Sequence, residues 1–181
     1  MNQLQLLTLG KGLFCRKTII VLVIACLSLS SYAADPKPAP DAVVVKVLDK
    51  PLPNQESKRD MFLWNNFANM PSEQQFNTYS ANNWKTNFAV FSNALVQKAD
   101  NLKLDSASLR KALDLVLRDA KGEIAYLPVG AYQTTLDGAP IWIITVKWEY
   151  PSMGKDAELG HIRAFAFDQK TLQKVGFVTC G

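Results

Sequence analysis

The chain predicts an α+β fold: N-terminal helices followed by a four-stranded antiparallel meander packed on a helix. Three observations predict it. Apolar residues recur at helical spacing as far as Gly122, the period drops to two after it, and Asp137-Gly138 sits between two β-rich runs as a tight-turn signal. Runs of helix followed by runs of strand, without βαβ alternation, are the pattern of an α+β domain.

The opening segment stands apart from that domain. Lys11, Arg16 and Lys17 precede the apolar run Ile19 to Ala25, and Ser31-Tyr32-Ala33 supplies small side chains where a signal peptidase reads. Residues 1–33 are therefore expected to be a signal peptide cut after Ala33, and the working molecule to be periplasmic or secreted. The run from Thr18 to Leu29 is shorter than the roughly 20 apolar residues a spanning helix needs, so no transmembrane span is expected after processing. Val23-Ile24-Ala25-Cys26 resembles a bacterial lipoprotein box, which makes lipidation at Cys26 and an envelope-anchored form the alternative.

Removing 1–33 takes three of the 20 basic residues and none of the 16 acidic ones, leaving 17 against 16. The apparent basicity belongs to the leader, and a nucleic-acid partner, which needs clustered positive charge, is not expected. The remaining 148 residues of the 181 suit one domain with its own core. Ala34 to Pro40 holds three prolines in five positions, and residues 34–56 together read as a proline-rich spacer and extended arm. Within that stretch the β-branched run Ala42 to Leu48 is a strand or a docked arm, ended by Pro51 and Pro53. The α+β domain then spans 57–181.

Ser57 can cap a short helix with Met61, Trp64 and Ala68 on one face. Ser72 and Gln75 form a capping box for a second helix, whose stripe is Trp84, Phe88, Phe91 and Leu95, with Asn82-Asn83 as a weak point. Asp105 or Ser106 caps the third, which repeats Leu109, Ala112, Leu113, Val116, Leu117 and Ala120 and ends at Gly122. Strands come next at Ile124 to Thr135, at Ile141 to Tyr150, at His161 to Phe167 and at Val175 to Cys180. Pro128 pushes the first toward an edge or a bulge. In the second, Ile144, Val146, Trp148 and Tyr150 alternate with Thr145, Lys147 and Glu149, giving one apolar face and one wet face.

Residues 106–180 are similar to the helix-plus-curled-sheet layout of PepSY and cystatin-like modules. The features that carry the likeness are Gly122-Glu123-Ile124, the alternating Ile143 to Tyr150 strand, and Phe167-Asp168 with Thr171 and Val175. Gln173 and Lys174 stand where a PepSY unit has its final-turn glycine, and no functional residue is carried over. Many such modules bind or restrain peptidases, so the resemblance implies a binding role.

Residue chemistry points the same way. His161 is the sole mature histidine and no serine lies in a nucleophile elbow. A Cys180–His161 pair requires adjacent strands and a setting that lowers the thiol pKa. Cys180 is the one cysteine left after cleavage, so it is a free thiol unless it links two copies into a dimer. Asp156 and Glu158 read as a solvated loop, neither histidines nor thiols suffice for a metal set, and no cofactor is expected. Trp142 and Trp148 share one side of their strand with Tyr150. They form either the helix-facing core or, if the opposite side is the covered one, a broad binding surface with Tyr126 and Tyr132 as neighbours. The expected function is a non-catalytic exported protein that binds another macromolecule, as an inhibitor or immunity-type partner of an envelope enzyme, with small-ligand binding as the alternative.

Overall fold

In the computed structural model, which describes residues 42–68, 83–151 and 159–180, the β-branched run after Ala42 joins the sheet. Strand β1 (Val44–Val47) lies parallel to β2 (Ala125–Leu136), and β3 (Ala139–Glu149), β4 (His161–Asp168) and β5 (Lys174–Cys180) continue from it in an antiparallel meander. The α+β class holds, but the sheet has five strands and is mixed, not four and antiparallel. Between β1 and β2 the chain contributes helix α1 (Glu56–Leu63), continued by a π-helical turn at Trp64–Ala68, then α2 (Trp84–Asn101) and α3 (Ser106–Asp119). A parallel strand pair requires such a long crossover. The expected leader with Ala33 and Cys26, the spacer to Pro40, the capping box at Ser72 and the carboxylates Asp156 and Glu158 lie outside the described residues.

Local chemistry explains each boundary. Asp105 caps α3 by accepting a 3.0 Å bond from the Ser108 amide, and the chain leaves that helix through Gly122 at φ +77°. Asp137 and Gly138 both take positive φ, as the two-residue hairpin between β2 and β3 demands. Asp168 makes the β4–β5 turn: one carboxylate oxygen accepts from the amides of Lys170 and Thr171 and from the Thr171 hydroxyl. Those bonds to the ionised form, led by the Thr171 amide, hold its pKa below the ordinary carboxylate value.

Both faces of the sheet are covered. On one, Trp84, Phe88, Phe91 and Leu95 of α2 and Leu109, Leu113 and Val116 of α3 pack on Trp142, Ile144, Val146 and Phe165. The Trp142 indole N–H donates to Ser108 Oγ at 2.8 Å, which ties the sheet to the first turn of α3. On the other, Leu52, Leu63 and Phe67 pack on Tyr132, Ile141, Ile143, Ala164 and Ala166. The face of α1 that meets the sheet is thus Leu63 and, one turn on, Phe67, while Met61 and Trp64 are exposed, in contrast to the expected Met61–Trp64 stripe.

This second layer corrects the expected wet face of β3. Thr145 is fully buried and Lys147 is 3 % exposed, and among the described residues neither the lysine amino group nor the Thr145 hydroxyl has a hydrogen-bond partner. Burial lowers the Lys147 pKa, since a desolvated amine resists protonation.

Pro128 marks a bulge. The β2–β3 register shifts between Pro128 and Gly130, so Tyr126 lies opposite Trp148 while Tyr132 lies opposite Ile143. One extra residue moves everything after it to the other face.

Candidate functional site

The five aromatics expected to share a surface do not form one exposed stripe. Tyr126 and Trp142 are fully buried, Trp148 retains 8 % exposure, and Tyr150 alone is exposed, at 43 %. Tyr132, buried at 4 %, is on the opposite face because of the bulge, where it packs against Phe67 with ring centroids 4.8 Å apart. The helix-facing alternative therefore describes Trp142 and Trp148, and the opposite side is covered as well.

What reaches the surface is the end of β3. Tyr150 stands edge-on to Trp148 at 5.5 Å, the His161 ring lies 4.9 Å from the same indole, and the Arg163 guanidinium sits 4.1 Å from its centroid. His161 Nε2 is 3.4 Å from a Glu149 carboxylate oxygen. A cation held on an indole face is favourable and fixes both groups.

Arg163 also extends this cluster inward. It donates to the Tyr126 hydroxyl, which in turn donates to Asp119 Oδ2 at 3.1 Å, and Asp119 Oδ1 is 3.6 Å from Lys174 Nζ. Burial is the main reason the Tyr126 pKa is pushed up to about 12, so the phenol keeps its proton and serves as a donor. A continuous row of charge and aromatic rings thus runs from His161 to Lys174 along the sheet.

At the Lys174 end is a groove of about 340 Å³ between α3 and the β4–β5 hairpin, lined by Leu115, Phe165, Phe167 and Leu172, with Arg118, Asp119 and Lys174 at its rim. Beneath it the buried Phe165 and Phe167 rings lie near-parallel, 6.2 Å apart with 11° between planes. Leu172 is held at φ +60°, a left-handed conformation unusual for a branched side chain, by the hydrogen bond its N–H donates to the Asp168 carbonyl and by the Asp168 turn. Nothing in the sequence pattern marked Leu172, although its place two residues before β5 and beside Thr171 was visible.

The pair proposed for thiol chemistry is not assembled. His161 lies opposite Trp148, whereas Cys180 lies opposite Ile162, the next residue along β4, so the two side chains leave opposite faces of the sheet. Among the described residues no three His, Cys, Asp or Glu side chains are grouped as metal ligands, and no helix is long and apolar enough to cross a membrane. The arrangement offers surfaces for recognition: an aromatic and cationic sheet end and an apolar groove with charged lips. No family model, curated protein or solved structure matches this chain.

Proposed function

We infer that this chain is an exported, non-catalytic module that binds another macromolecule, an envelope protein that it restrains or protects, and that it engages that partner through the end of β3. The single observation that carries the reading is Tyr150: a large exposed aromatic braced edge-on by Trp148, with the His161 ring tilted against the same indole and the Arg163 guanidinium over it. Tyrosine, tryptophan and arginine on a preorganised support are the residue types that dominate binding energy at protein interfaces. The likeness of residues 106–180 to PepSY and cystatin-like modules agrees with it.

The test is affinity capture from an envelope extract with the full chain and two variants. One stoichiometric protein should be retained by the unaltered chain and by Met61→Ala, whose exposed side chain lies on α1 away from the β3 end, and lost at least tenfold with Tyr150→Ala, about 1.4 kcal/mol or more of binding energy. Equal recovery by all three, or no stoichiometric protein across growth conditions, would overturn the reading.

Small-ligand binding, the second reading, is favoured by one separate observation, the groove beneath Leu172.

A further inference from the structure

We propose that the groove between α3 and the β4–β5 hairpin is a binding site for a small molecule with an apolar body and a single carboxylate. The shape sets the body. The half-buried Leu115 and Leu172 line it on the α3 and hairpin sides, with the buried Phe165 and Phe167 rings beneath them, in a volume of about 340 Å³ at the small end of ligand clefts.

The rim sets the charge. Asp119 is its one anion among the described residues, and that carboxylate is already engaged by Lys174 at 3.6 Å and by the Tyr126 hydroxyl at 3.1 Å, with Arg163 behind the phenol. Arg118 has no ion-pair partner among the described residues and is exposed on the last turn of α3. Lys174 Nζ lies 5.9 Å from the Phe165 centroid and 5.2 Å from that of Phe177, so it is poised above these rings. With Lys174 paired to Asp119, Arg118 is left as the unpaired rim charge among the described residues and favours an anion, and its planar guanidinium suits a carboxylate better than a point charge does.

Backbone strain supports the assignment. Leu172 occupies a conformation a branched residue adopts at a free-energy cost, and three bonds to the Asp168 carboxylate keep the turn that imposes it. The result is a preformed wall, which lowers the ordering cost of binding. This site is separate from Tyr150 and goes beyond the macromolecular reading.

The probe is 2-naphthoate, with neutral 2-naphthamide as its isostere, titrated into the isotope-labelled full chain and followed by amide chemical shifts. The naphthoate should saturate, shift the amides of Leu115–Asp119 and Leu172–Lys174, and bind at least about tenfold tighter than the amide. The double variant Arg118→Gln with Lys174→Gln should erase that preference, and Tyr150→Ala should leave it unchanged, so the failure of one site is distinguishable from that of the other. The comparison of the two probes on the unaltered chain stands even if the double variant does not fold. Equal affinity for the two probes, shifts confined to other regions, or no saturable shift with either would overturn the proposal.

Discussion

Tyr126 shows how much one residue can organise. Its ring is wholly buried, its hydroxyl bridges Arg163 and Asp119, and burial raises its pKa from near 10 to about 12. A raised acid pKa favours the neutral form in the folded state, so the unfolded chain releases this proton first as pH rises. Stability should therefore fall by about 2 kcal/mol between pH 10 and about 12, and Tyr126→Phe should flatten that slope in urea unfolding followed across the range. An unaltered slope in the variant would place the alkaline loss elsewhere. The sequence showed Tyr126 as a strand residue among aromatics, but its partners come from α3 and β4, and nothing local encodes them. Lys147 makes the complementary point: alternation with Val146 and Trp148 assigns it to a wet face, and only the presence of a second covering layer shows that the face is dry.

At the level of elements, the legible parts were those governed by short-range chemistry. The Asp105 cap, the Gly122 exit and the Asp137-Gly138 hairpin each lie where backbone geometry calls for those residue types. The face assignments after Pro128 were not legible, since alternation alone does not reveal where an extra residue enters. Gly130 marks the far side of that irregularity. A methyl group there would meet Thr145 Oγ1 at 2.6 Å and the Tyr132 ring at 2.8 Å, both within the buried second layer. Gly130→Ala should therefore destabilise the protein by about 1–3 kcal/mol, read as a lowered denaturant midpoint with unchanged slope. A neutral outcome would mean that Tyr132 swings aside freely. The parallel addition of β1 also escaped the sequence: the Val-rich run announces a strand, but its neighbour and direction depend on the crossover that contains α1, α2 and α3.

For the molecule as a whole, a sheet covered on both faces leaves recognition to its ends and to the seam beside α3, which is where Tyr150 and the Leu172 groove lie. The proposed export would give those surfaces an envelope partner. Mass spectrometry of the mature chain should find Ala34 at its terminus, and an acylated Cys26 would replace the soluble form with an anchored one. The break in register near Pro128 acts as a phase shifter for β2: upstream of it the even-numbered Tyr126 joins the α2–α3 core, whereas downstream the odd-numbered Ala131 does so and the even-numbered Tyr132 joins the Leu63–Phe67 core. Excising Val129 would bring the two halves back into step, forcing either Tyr126 or Tyr132 to the wrong side. A single codon there couples the fates of two hydrophobic layers that otherwise share only the thickness of a strand.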